Sequence, residues 1–71
     1  MSRYLIVIEP TATGYSAYVP DVDGCVATGR THEEVEARMR EALEFHLEGL
    51  GEVGQPVPRS SSDAAFVEVP D

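Results

Sequence analysis

Apolar positions in this chain repeat in two different ways, and the change from one to the other divides it. Within residues 31–50, THEEVEARMREALEFHLEGL, the side chains of Val35, Met39, Ala42, Leu43, His46 and Leu50 fall on one stripe at about 100° per residue, with Leu47 at its edge. Glu33, Glu36, Arg40, Glu41, Glu44 and Glu48 mostly occupy the other faces. The spacing predicts an amphipathic helix with one side laid on a sheet. Thr31 followed three residues later by Glu34 reads as a capping box: the hydroxyl accepts from an amide of the first turn, and the carboxylate reaches back to the amide of Thr31. Gly49, Gly51 and Gly54 each offer a C-cap position at the other end.

Before the helix the period shortens to two. RYLIVIE, residues 3–9, is rich in branched and aromatic side chains and reads as a strand, with Tyr4, Ile6 and Ile8 on one face and Leu5 and Val7 on the other. Both faces are apolar. One helix covers one face, so the other is expected to meet a second subunit, a partner or the C-terminal segment. Pro10 ends this strand, and TATG at 11–14 turns the chain into a second strand over 15–19. The turn PDVDG at 20–24 precedes a short third strand over 25–28, and Gly29-Arg30 leads into the helix cap.

After the helix, GEVGQPVPRSSSD at 51–63 has no period and reads as a connection. AAFVEV at 64–69 reads as a returning strand, most simply parallel to an earlier one through a right-handed crossover. The expected architecture is α+β, in the order β-β-β-α-β: a small, mostly antiparallel sheet with one helix packed on one face, forming a single domain over residues 1–71.

Length and composition narrow what such a domain can be. A chain of 71 residues buries only about 60% of its potential surface, so self-association is one route to added stability. Cys25 is the only cysteine, which excludes an intrachain disulfide, and with two histidines the chain offers no structural metal set. No apolar run has the length of a membrane span, and MSRYLIVIEP lacks the pattern of an export signal. A cytoplasmic location without membrane contact is expected. The net charge of −8 is concentrated on the helix, where six glutamates accompany two arginines. Such a field opposes direct nucleic-acid binding and accommodates a basic protein.

Catalytic chemistry has little to work with. Asp21 and Asp23 could join Glu9 or Glu68 around a divalent ion, but their place in the proline-glycine turn makes them natural acceptors for local amides. Glu9 and Glu68 read as solvated residues near strand ends. His32 lies in the first helical turn and is expected to be exposed. His46 sits in the apolar stripe, and needs either a hydrogen-bonding partner or an interface. Cys25 has no histidine placed to activate it and reads as a small core residue. Tyr4, Tyr15, Tyr18, Phe45 and Phe66 with Arg3 and Arg30 are too poor in positive charge for an RNA-binding platform. No cofactor motif is present.

Residues 14–58, GYSAYVPDVDGCVATGRTHEEVEARMREALEFHLEGLGEVGQPVP, resemble the HicB-like antitoxin family. The shared pattern is a glycine-tyrosine hairpin, the P-D-x-x-G-C turn, a G-x-T-x-x-E helix start, an alanine-leucine-histidine helix and a G-x-x-x-P tail. The flanking strand segments extend the resemblance over nearly the whole chain. It implies a partial ribonuclease-H-like fold, a possible small basic HicA-like toxin that cleaves messenger RNA as partner, and a homo-oligomer, most simply a dimer or tetramer. Operator binding is not implied, because the helix-turn-helix or ribbon-helix-helix module of longer members has no counterpart in residues 1–71.

Two function classes are therefore open. The leading one is a non-catalytic, antitoxin-like binding module; the alternative is a nuclease on a partial ribonuclease-H-like fold, or an orphan structural module with no toxin. For the binding module, Glu36, Arg40, Glu44 and Glu48 are the candidate partner-binding residues. Leu5, Val7 and Tyr18 are the candidate oligomer contacts.

Overall fold

The computed structural model describes residues 2–71. Strands β1 (Val7–Pro10), β2 (Tyr15–Tyr18) and β3 (Val26–Gly29) form an antiparallel sheet in the order β1-β2-β3, and one helix, α1 (His32–Glu52), packs on it. The protein is thus a small α+β fold with three strands and one covering helix.

Register decides which residues meet the helix. Ile8, Ala17 and Ala27 lie opposite one another across the three strands, as do Val7, Tyr18 and Val26. Because side chains alternate along a strand, these two rows face opposite ways. The first row looks toward α1: Ala17 is buried, and Ile8 and Ala27 pack against the core. Small side chains at its centre let the helix approach closely. At Gly29, a Cβ would stand 2.6 Å from the amide nitrogen of Val35, so only glycine fits there. Val35 and Met39 are sealed beneath α1, joined by Val19, Val22 and Cys25 from the loop between β2 and β3. The expected facing of Tyr4, Ile6 and Ile8 holds, since all three join this core. The strand expected over 3–9 pairs only at Val7–Pro10, however, with residues 3–6 outside the sheet and Pro10 paired to Tyr15 rather than ending the strand before it.

Both helix ends are chemically defined. The Thr31 hydroxyl accepts from the Glu34 amide at 3.0 Å, and the Glu34 carboxylate accepts from the amide of Arg30 at 2.9 Å. The reciprocal bond therefore reaches one residue further back than the capping pattern suggests. At the other end α1 runs on through Gly49 and Gly51 to Glu52, with Val53 as its C-cap and Gly54, whose φ is 74°, just beyond. There the Gln55 amide bonds the Leu50 carbonyl at 2.9 Å and the Gly54 amide bonds the Gly51 carbonyl at 3.1 Å. This paired closure settles which of the three glycines ends the helix.

The fourth strand expected at residues 64–69 is not formed, and these residues are exposed. The connection before them is fastened across the end of the sheet. The Tyr4 hydroxyl donates to the Pro58 carbonyl at 2.6 Å, and the amides of Ser61 and Ser62 each donate to Asp21 at 2.8 Å. Asp21 is thus not the local acceptor that its turn position suggests; its partners lie 40 and 41 residues away.

Candidate functional site

The exposed side of α1 is acidic along its whole length. Glu36, Arg40, Glu44 and Glu48 follow one another at four-residue spacing and are all exposed. The helix carries seven glutamates, Glu33, Glu34, Glu36, Glu41, Glu44, Glu48 and Glu52, against Arg38 and Arg40. Arg38 is engaged with Glu34 at 3.7 Å and with the Thr28 carbonyl at 3.3 Å. Among the described residues Arg40 forms no ion pair within 4 Å, so the C-terminal half of the helix keeps its negative sign. The last turn contains no basic residue. The carboxylates of Glu48 and Glu52 therefore stand at the negative end of the helix dipole, where a cation would be favoured.

Phe45 lies in the middle of this surface with 81% of its area exposed, between Glu41 four residues before and Glu48 three residues after. The sequence pattern passed over it as a candidate contact. Its signal was being a large apolar residue outside the helix's buried stripe. An exposed aromatic ring bordered by carboxylates has the form of an anchor for a partner with an apolar centre and a basic rim.

The opposite side of the domain presents the row Val7, Tyr18 and Val26. Leu5 and Val7 are half-buried, while Tyr18 and Val26 are 43% and 68% exposed. The structure therefore brings Val7 and Tyr18 side by side on the sheet face away from α1, and adds Val26 to them.

The residues weighed for catalysis do not come together. Glu9 is on β1, Glu68 is on the unpaired C-terminal segment, and Asp21 is occupied by the serines. Hydrogen bonds from Ser62 and Ser61 hold the Asp21 carboxyl at a pKa of about 2. Among the described residues no group of three or more His, Cys, Asp or Glu side chains is placed to hold a metal ion. Cys25 is buried, with its Sγ 3.9 Å from Met39 Sδ, and burial pushes its thiol pKa up, away from the nucleophilic thiolate. His32 is exposed, its Nδ1 3.8 Å from Glu36 and its ring edge-on to Tyr15 at 5.9 Å. His46 is half-buried on the flank of α1, and no hydrogen bond reaches its ring among the described residues. No helix of the described residues is long and apolar enough to cross a membrane.

Comparison with known proteins follows the same lines. The family model described as the HicB-like antitoxin of bacterial toxin-antitoxin systems matches residues 4–71. A protein of the rep-hol intergenic region of Haemophilus phage HP1 is 37% identical over 68 residues, which are 96% of this chain and 51% of the phage protein. Antitoxin HicB 2 of Photorhabdus laumondii is 35% identical over 72 residues, covering 96% of this chain and 50% of its own length. The chain thus spans about half the length of these two relatives. Among solved structures, a chain of the HicA3 and HicB3 toxin-antitoxin complex superposes with a TM-score of 0.73 at 37% identity, over 84% of this chain and 70% of that one. The crystal structure of antitoxin HicB3 gives 0.70 at the same identity, over 84% and 44%.

Proposed function

Since the chain belongs to the HicB-like antitoxin family, we propose that it is a non-catalytic, antitoxin-like module that binds a small basic toxin of the HicA type. The observation that carries this reading is the exposed half of α1, where Phe45 stands among Glu41, Glu44 and Glu48 and the last turn has no cation of its own. Negative charge collected at the negative end of a helix dipole is unfavourable in the isolated domain, and a basic partner relieves it. The phenyl ring supplies the apolar contact that charge alone does not. The likeness to a chain of the HicA3–HicB3 complex supports the identity of the partner class.

The test is co-expression with a HicA-type toxin followed by capture of the complex at low salt. The double variant Glu44→Lys/Glu48→Lys is expected to weaken the complex about tenfold or more, mainly through slower association. Phe45→Ala should weaken it by a similar factor through faster dissociation. Absence of any complex between the unaltered chain and the toxin at low salt would contradict the reading.

Copies of the chain are also proposed to associate, as a dimer or tetramer, on the side of the sheet that carries Leu5, Val7 and Tyr18. The exposed apolar row of Val7, Tyr18 and Val26 supports this, because a small domain gains by covering such a face.

A further inference from the structure

The three-stranded sheet leaves a slot for a fourth strand. Between the residues that lead into β1 and the flank of α1 runs a groove lined by Tyr4, Ile6, Arg40, Leu43 and Leu47 over the buried Met39, with Glu36 and Glu44 on its rim. β1 and β3 are the two sheet edges, and they differ. At β3 the Arg38 guanidinium occupies the Thr28 carbonyl and Gly29 lies against the backbone of α1. Among the described residues no strand pairs with the outer side of β1. It is an open edge with apolar side chains above and below, the arrangement that accepts another strand.

The same chain carries a strand-like segment that has no sheet. In AAFVEV, residues 64–69, Phe66 is fully exposed (105%) and Val67 and Val69 are exposed beside it. This arm projects from the body. The radius of gyration is 13.9 Å, against about 11 Å for a compact chain of this length. Its root is nevertheless fixed, because Asp21 accepts from the amides and hydroxyls of both Ser61 and Ser62 at 2.6–3.3 Å. Ser60, Ser62 and Asp63 lie alongside Arg3–Ile6, so the arm leaves from the β1 side of the sheet.

The two unsatisfied elements match. The first strand segment is apolar on both faces, Ile6 and Ile8 on one and Leu5 and Val7 on the other; the arm is too, with Phe66 on one face and Val67 and Val69 on the other. Six residues of strand extend about 20 Å, more than enough to pair along the four residues Val7–Pro10 of the open edge, beyond the stretch where Ser60, Ser62 and Asp63 lie beside Arg3–Ile6. Arg3 and Arg40, two of the five cations in the chain, border the open edge, and the arm carries Glu68 with Asp71 just beyond.

We propose that residues 64–69 add as a strand to the open β1 edge of a second copy of this chain, which returns its own arm in the same way to form a two-fold dimer. The proposal goes beyond the self-association through the sheet face described above, using a different contact, and does not depend on toxin binding. Sedimentation equilibrium of the full chain, paired with amide hydrogen exchange at several protein concentrations, tests it. A dimer is expected, with the amides of residues 65–69 becoming protected as concentration rises. Phe66→Asp and Val67→Pro, both in the exposed arm, should each weaken the dimer tenfold or more and leave the thermal midpoint of the dilute monomer unchanged. Protection at 65–69 that is independent of concentration would mean that the arm pairs within its own chain, and would overturn the proposal. So would a monomer at all concentrations. A dimer indifferent to both arm variants but dissociated by Tyr18→Asp would also overturn it while leaving self-association through the sheet face standing.

Discussion

Met39 and Phe66 are both large apolar residues, and they have opposite fates. Met39 has no exposed surface, enclosed between α1 and a sheet floor of alanines, whereas Phe66 has its whole ring in solvent at the end of a segment held by hydrogen bonds at its root. The body, residues 4–54, is built mainly from contacts between elements adjacent in sequence, β1 with β2, β2 with β3 and β3 with α1, and they converge on one small core. The segment after it is attached at two places, Tyr4 to Pro58 and Asp21 to the serines. The contrast separates what stabilises this chain from what is available for binding.

The largest effects are expected where the body is broken. Met39→Ala removes a fully buried side chain, and should cost about 2–5 kcal/mol in denaturant unfolding. For a domain this small that loss leaves a large unfolded fraction at room temperature. Gly29→Ala should follow at about 1–3 kcal/mol, because the new Cβ can be admitted only by moving α1 away from β3. Thr31→Ala should cost about 1 kcal/mol through loss of the cap on the Glu34 amide.

Acid sharpens the comparison from the other side. The Asp21 pKa is about 2 in the folded chain against an ordinary 3.8, so its hydrogen bonds to the serines contribute fully above pH 3.8 and fade as the pH falls through 2. Amide resonances of Ser61 and Ser62 should move together over that window, while those of Val35 and Met39 stay in place until global unfolding. Asp21→Asn should produce the same local release at neutral pH. If the Asn variant lowered the unfolding midpoint as much as Met39→Ala does, the division between body and attached segment would be wrong.

What could be read from the sequence follows the range of the interactions. The start of α1 was legible because Thr31 and Glu34 are three residues apart and satisfy each other's neighbourhood. The faces of the first strand were legible because alternation is a local property and the core chose the side bearing Tyr4, Ile6 and Ile8. The end of α1 was ambiguous among three glycines, since the choice rests on hydrogen bonds from Gly54 and Gln55 back into the last turn. Residues 64–69 have strand propensity, but propensity names no partner, and a strand exists only when another backbone is present to pair with. Asp21 was misread for a similar reason: its turn residues are adjacent, and its real partners are on the far side of the helix in sequence. On the candidate site, the acidic ladder of Glu36, Arg40, Glu44 and Glu48 was visible as a helical face. Phe45 needed the structure to show that no neighbour covers it.

The two proposals divide the molecule: the acidic face of α1 around Phe45 is assigned to a toxin and the β1 edge to the arm of another copy of the chain, with Glu36, Arg40 and Glu44 at the border between them. Amide chemical shifts of the labelled chain, recorded as a HicA-type toxin is added, test this most directly. The account predicts perturbations concentrated over residues 36–52, centred on Phe45, with residues 64–69 unmoved. Perturbations confined to 64–69 with α1 unchanged would contradict it.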